Sequence, residues 1–325
     1  MKTGTVKIAA RITEWIANIF LFIIISLLYY IGQPVHTEKN IYIKPGSISA
    51  IITQFRKDGY DLGPLDKQLL RLVGAPQSGW IYMGKNRLNR IEFLYRLGSA
   101  KSAFKKITLI PGETTVIFLK NLAKSLDLNE TKLMDEYSRL SKYKEGGILA
   151  ETYNIPLHYK EKRVIDYLLN LSEKRYEKLS IKYSDRYDPS EWNKILTIAS
   201  IIQKEAANTE EMPLVSSVIY NRLKKNMRLQ MDGTLNYGIY SHERVTPERI
   251  KNDNSTYNTY KHRGLPEYPV CNVSIKALEA AIDPARTDYL YFVKNSNGNH
   301  DFSKTYKRHL RHIRDKKRDS KTSKQ

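Results

Sequence analysis

One carboxyl in this chain sits where burial works against its charge. In Leu196-Thr-Ile-Ala-Ser-Ile-Ile-Gln-Lys-Glu205, the residues Ile195, Ile198, Ala199 and Ile202 recur at i, i+3, i+4 and i+7, the spacing of one buried helical face. Glu205 follows Ile202 by three residues and Ile198 by seven, so it leaves the helix on that apolar side. A carboxyl held against isoleucines loses hydration, its charged form is disfavoured and its pKa rises. That prepares a glutamate to deliver a proton near neutral pH. A helix-end glutamate paired with a nearby Lys or Arg has the same periodicity, so this segment alone leaves both readings open.

Other chemistries find less support. The histidines at 36, 158, 242, 262, 300, 309 and 312 form no HExxH pair, and no carboxylate cluster has metal-ligand spacing. No glycine loop is built to cradle phosphate, and no serine stands in a Gly-x-Ser-x-Gly elbow. No cofactor is expected. The single cysteine, Cys271, excludes an internal disulfide and has no basic neighbour to make it a thiolate. Beside and downstream of Glu205, however, Gln203, Asn221, Gln230, Asn258, Tyr237, Tyr257 and Tyr260 offer hydrogen bonds and ring faces suited to sugars. Most glycosidases that use water place a second carboxylate across the cleaved bond. Asp232 is the nearby candidate; if it is structural, a one-carboxyl mechanism is required.

The elements that must hold these groups are legible in outline. Asp188-Pro-Ser-Glu191 opens the Glu205 helix as a capping box, with Asp188 as N-cap, Pro189 at the first position and Glu191 reaching back. Residues 209–225 read as a second helix with Val215, Val218, Ile219 and Leu223 inward, 161–182 as a charged helix, and Tyr289 to Val293 as a strand. Upstream lies a degenerate repeat. Ile41-Tyr-Ile-Lys-Pro-Gly46 and Ile107-Thr-Leu-Ile-Pro-Gly112 each end a short strand in a Pro-Gly turn before an amphipathic helix. Ile48, Ile51, Ile52 and Phe55 form the stripe of the first copy, and Ile117, Leu119, Leu122 and Leu126 that of the second. Gly79 to Tyr82 and Leu88 to Leu97 add a strand and a helix between them.

Trp15 to Ile31 is an almost unbroken apolar run, preceded by Lys2, Lys7 and Arg11 and followed by no small-x-small cleavage pattern. A retained anchor with its N-terminus inside is the expectation. The formal charge of +20 predicts attraction to polyanions, much of it local: the C-terminal tail carries Lys304, Lys307, Arg308, Arg311, Arg314, Lys316, Lys317, Arg318, Lys321 and Lys324 against Asp315 and Asp319. A nucleic-acid partner suits the charge but not an outward-facing anchor, so no nucleic acid is expected.

The spaced motifs together resemble one family. Ala199-Ser-Ile-Ile-Gln-Lys-Glu-Ala206, Val218-Ile-Tyr-Asn-Arg-Leu223, Met227-Arg-Leu-Gln-x-Asp-x-Thr234 with Tyr237, Tyr257-Asn-Thr-Tyr260, Gly264-Leu-Pro266, Ser274-Ile-Lys-Ala-Leu278, Tyr289-Leu-Tyr-Phe-Val293 and His300-x-Phe302 look like the endolytic murein transglycosylases, the MltG or YceG-like family. The likeness runs from the anchor to about residue 310. The chain departs from the family pattern where Gln203 replaces a frequent glutamate, Gly233 a usual proline, and Val273-Ser274 a usual Pro-Gly.

The residues and the resemblance together lead to the expectation of an α+β protein: a cytoplasmic N-terminus at 1–14, a transmembrane anchor at 15–33, a LysM-like α+β subdomain at 40–130, a mixed α+β catalytic domain at 145–310 and, from composition alone, a basic disordered tail at 311–325. The resemblance implies cleavage of the β-1,4 bond between N-acetylmuramic acid and N-acetylglucosamine in nascent peptidoglycan strands, with 1,6-anhydro ends as product. Glu205 would act as general acid and then base; Asn221, Gln230, Asp232, Thr234, Tyr237, Tyr257 and Asn258 would orient it and the sugar. Such a protein would sit in the bacterial inner, cytoplasmic membrane, its catalytic domain outside, as a terminator of strand synthesis beside peptidoglycan synthases (penicillin-binding proteins). A water-using muramidase on the same site and a non-catalytic wall-binding module are the rival expectations.

Overall fold

A computed structural model describes residues 2–99, 104–157 and 159–322, with side-chain environments for 11–99, 104–157 and 159–318. His158 and Lys324 lie outside these residues, as do the side chains of Lys2, Lys7 and Lys321. The chain divides into two compact units, one of residues 1–105 with 156–158, the other of 106–155 with 159–325.

The first unit opens with α1 (Lys2–Gly32). Its stretch Arg11–Gly32, 22 residues, is long and apolar enough to cross a membrane, and its side chains are exposed up to Tyr29. There follow β1 (Pro34–His36), β2 (Asn40–Ile43), α2 (Ile48–Lys57), α3 (Pro64–Val73), β3 (Gly79–Tyr82), β4 (Arg87–Asn89) and α4 (Arg90–Ser99). The first repeat copy is thus β2–α2–α3–β3, and its two strands pair antiparallel with Ile41 opposite Ile81. Ser47 caps α2 by accepting the Ala50 N–H, and Ile51, Ile52 and Phe55 enter the core as the stripe predicts. Beneath them the buried Arg90 guanidinium meets the buried Asp66 carboxylate at 2.9 Å. Tyr30 of α1 donates to the same carboxylate at 2.6 Å, which ties the end of the apolar helix to this unit.

The second repeat copy is β5 (Phe104–Thr108), α5 (Thr115–Leu126), α6 (Glu130–Leu140) and β6 (Thr152–Pro156), again strand, two helices, strand, with β5 beside β6. Here the structure differs from the expected module of 40–130, because residues from Lys106 onward pack in the second unit. The reason is the apolar face of α5. Phe118, Leu119, Leu122 and Ala123 are buried, and they share a core with Leu133 of α6 and with Val164, Ile165 and Leu168 of α7 (Glu161–Ser184).

The remaining elements are α8 (Pro189–Glu205), α9 (Met212–Lys224), α10 (Pro247–Asn252), α11 (Ile275–Ile282), β7 (Tyr291–Lys294), β8 (His300–Ser303) and α12 (Tyr306–Thr322). Helix α8 is central: from Leu196 to Ile202 every residue is buried, against α9 on one flank and α11 on another. Asp188 caps it, accepting from the Ser190 and Glu191 N–H groups at 2.7 and 3.3 Å. Glu191 does not reach back; it turns outward to Arg186 at 2.7 Å. At the C-terminus residues 311–322 of the expected disordered tail are instead part of the helix α12, held because Tyr291 of β7 receives Tyr306 and His309 against its ring.

Candidate active site

Glu205 is the last residue of α8, and Ala206 leaves the helix in an extended conformation. Its side chain is partly buried, and one oxygen, Oε1, accepts the Gly233 N–H at 2.7 Å. Burial pushes the carboxyl up to about 7; the Gly233 N–H opposes that rise, the neighbouring Asp232 charge adds to it, and Arg222 opposes it. The other oxygen, Oε2, is the one left to exchange a proton.

Gly233 lies buried in a 3-10 turn, Asp232–Leu235. A Cβ there would come within 2.6 Å of Lys204 Cβ and 2.7 Å of Glu205 Oε1. The close approach therefore requires glycine, and the amide reaches the carboxyl only because no side chain intervenes. A proline, usual here in the family pattern, would have no N–H to donate.

Arg222 is the buried cation of the site and was not among the residues expected from sequence. It is 8% exposed on α9, its Nε donates to the Leu290 carbonyl at 2.7 Å, and its Nη1 donates to that of Leu229. Its guanidinium faces the Tyr291 ring at 5.4 Å. A signal was present: Val215, Val218, Ile219 and Arg222 recur at i, i+3, i+4 and i+7, so the arginine occupies a place on the apolar stripe.

The remaining expected residues divide by what they touch. Asp232 is exposed and accepts the Tyr260 hydroxyl at 2.7 Å. Tyr237 and Tyr257 stack at 4.2 Å and 11°, and Tyr237 donates to Asp253 at 3.1 Å. Gln230 is exposed, with a left-handed backbone at φ 48°. Three others are occupied by backbone carbonyls. Asn221 donates to Thr287 and Tyr289 at 2.8 and 3.0 Å, and the buried Thr234 to Met231 at 2.7 Å. The buried Asn258 donates to Ile250 and Asp253 at 2.7 and 2.8 Å.

A second carboxyl behaves like Glu205. Burial pushes Glu145 up to about 7, against donation from the Thr115 hydroxyl and the Gly146 and Thr115 N–H groups and the charge of Lys204. Beyond Glu205 the chain is fixed by Glu211, whose carboxylate takes the His300 Nδ1 and N–H, each at 2.7 Å, and the Ala207 N–H at 3.4 Å. Burial works against that charge, but the bonds from His300 prevail and hold Glu211 below its ordinary value. Two departures from the family pattern meet each other, since Gln203 Oε1 accepts the Ser274 hydroxyl at 2.7 Å. Cys271 is buried, and burial pushes its thiol up to about 12, which keeps it protonated. An apolar cavity of about 450 Å³ lined by Trp192, Ile195, Ile198 and Tyr220 does not include Glu205.

Fold and site together define an α+β protein with a protonatable carboxyl at the end of a buried helix, clamped by a backbone amide. The chain belongs to the YceG-like family, whose model matches residues 41–315. It is 46% identical over 118 residues to the endolytic murein transglycosylase of Bacillus subtilis (strain 168), a match covering 36% of this chain and 32% of that protein. It is 36% identical over 157 residues to the protein of the same name from Streptococcus pneumoniae (strain ATCC BAA-255 / R6), covering 46% of this chain and 28% of that one. The matches thus span about a third or less of those relatives' length. A crystal structure of a YceG-like protein from Listeria monocytogenes shares the fold, with a TM-score of 0.55 at 24% identity over 85% of this chain and 99% of that one.

Proposed function

We propose that this chain is an endolytic lytic transglycosylase of peptidoglycan in which Glu205 is general acid and then base. The observation that carries the reading is the site of Glu205: a carboxyl raised to about 7 by burial, held at one oxygen by Gly233 and faced by the charge of Arg222. Near pH 7 a substantial fraction of such a carboxyl holds its proton, as an acid catalyst must.

The substrate is the β-1,4 bond between N-acetylmuramic acid and N-acetylglucosamine. The proton on Oε2 passes to the glycosidic oxygen, which leaves as the 4-hydroxyl of the glucosamine. Arg222 and the Gly233 N–H stabilise the carboxylate that remains. That carboxylate then takes the proton of the muramoyl C6 hydroxyl as its oxygen closes on C1, giving the 1,6-anhydro ring without water. Because the nucleophile is part of the substrate, one protein carboxyl suffices, and intramolecular attack lowers the barrier by up to about 7–11 kcal/mol. Tyr237, Tyr257, Gln230 and Asp232 with Tyr260 receive the sugars, while Asn221, Thr234 and Asn258 hold the backbone that presents them. The position of Asp232, close enough for its charge to raise Glu205, keeps hydrolysis with two carboxylates as the second reading.

Helix α1 anchors the chain in the cytoplasmic membrane with its N-terminus inside. The order β2–α2–α3–β3 supports a LysM-like, wall-binding role for the first unit. Anchorage places the site on nascent strands beside the synthases, where cleavage terminates polymerisation. The test is strand cleavage as a function of pH in wild type and Glu205→Gln. The variant is expected to lose roughly 10²–10⁴-fold in rate; wild-type rates would remove Glu205 from the reaction.

A further inference from the structure

The basic C-terminal segment is not a tail but an ordered helix with a defined outer face. The inner stripe of α12 is His309, His312, Ile313 and Lys316, spaced i, i+3, i+4 and i+7 and none of them fully exposed. His309 stacks on Tyr291 at 5.3 Å, and His312 Nδ1 lies 3.4 Å from Asp301. Docking on these residues turns Lys307, Arg311 and Arg314 outward on one line, with Arg308 beside them, all exposed. Among the described residues none of these four forms an ion pair with a carboxylate; Asp288, before β7, and Asp301, on β8, are engaged by Lys304 and His312. Like charges at i+3 and i+4 destabilise a helix, so the arrangement gains from an external anion.

We propose that this outer face of α12 docks on the anionic lipid surface of a membrane. Leu310 stands beside the cations at 41% exposure, an apolar group among basic ones of the kind that settles at a lipid headgroup boundary and that a soluble polyanion would not use. The exposed apolar stretch that begins at Arg11 is long and apolar enough to cross a bilayer in the same chain. The proposal rests on the reading of α1 as an anchor. Its consequence is local to the site: the Tyr291 ring on which α12 sits also faces Arg222, so a docked α12 would orient the Arg222–Glu205 side of the catalytic unit toward the membrane.

The test uses the full chain carrying a fluorophore at Leu310→Cys, with the buried Cys271 left unlabelled, mixed with vesicles that contain spin-labelled lipid. In vesicles of phosphatidylcholine alone the chain is expected to sediment with the lipid while the probe stays unquenched. With phosphatidylglycerol present, quenching is expected to rise several-fold. It is expected to vanish at about 1 M salt, where the Debye length falls to about 3 Å, and in the triple variant Lys307→Glu, Arg311→Glu, Arg314→Glu. Far-UV circular dichroism of that variant matching wild type establishes that the loss is one of charge and not of fold. Equal quenching in both vesicles, or none with phosphatidylglycerol, overturns the proposal. So does a probe that responds to soluble poly(glycerol phosphate) but not to the anionic vesicle. A chain that sediments with neither vesicle overturns the anchor itself, and the proposal with it.

Discussion

At the residue scale, two groups hold the proton affinity of Glu205 down against burial, and each gives a signed expectation. Gly233→Ala drives a methyl group into Lys204 Cβ and Glu205 Oε1. It is expected to cost about 1–3 kcal/mol of stability, read from denaturant midpoints, and to lower kcat/KM. Because the Gly233 N–H and Arg222 both hold the Glu205 pKa down, weakening either raises it. Arg222→Gln is therefore expected to move the alkaline limb of the kcat/KM profile above pH 7. Leaving the Leu229 and Leu290 carbonyls unpaired should cost about 1–3 kcal/mol as well. An unmoved limb would reduce Arg222 to a structural part. The burial of the Glu205 carboxyl was legible because a charged residue on an apolar stripe stands out. Arg222 carried the same mark. By contrast Asn221, Thr234 and Asn258 look like substrate contacts in the sequence, where nothing shows that backbone carbonyls already occupy them.

At the element scale, the functional side chains depend on loops more than on helices. Asn258 closes the 250–260 segment by donating to two carbonyls and accepting the Tyr260 N–H at 3.2 Å, so one side chain fixes both Tyr257 and Tyr260. Asn258→Ala is expected to destabilise by about 1–3 kcal/mol and to raise KM more than it lowers kcat, as steady-state kinetics with glycan strands would show. Helices α2 and α8 were readable because their apolar period and their Ser or Asp caps agree. The repeat was readable as strand, turn and helix. The strand Gly79 to Tyr82 was readable too, but the second helix of each copy and the pairing of its two strands were not, since pairing at that range leaves no local trace. Nor was α12: its composition reads as solvated, and only the aromatic surface of β7 makes it a packed helix.

At the scale of the whole molecule, two carboxyls raised to about 7 make stability depend on pH. Glu145 and Glu205 bind protons more tightly folded than unfolded, so their contribution is complete below the ordinary value of 4.5 and is lost as pH rises through about 7. Thermal stability is expected to fall between those values, and Glu145→Gln to flatten the fall, with each kcal/mol moving Tm by about 2–4 °C. A slope unchanged in that variant would mean that Glu145 stays charged. The central claim, however, is the single carboxyl at the end of α8 closing an anhydro ring, and the most direct measurement is mass spectrometry of the glycan ends made by the full chain and by Glu205→Gln. The account predicts 1,6-anhydromuramoyl ends from wild type and none from the variant. Reducing ends from wild type would contradict it and turn attention to Asp232 as the second carboxylate of a hydrolase.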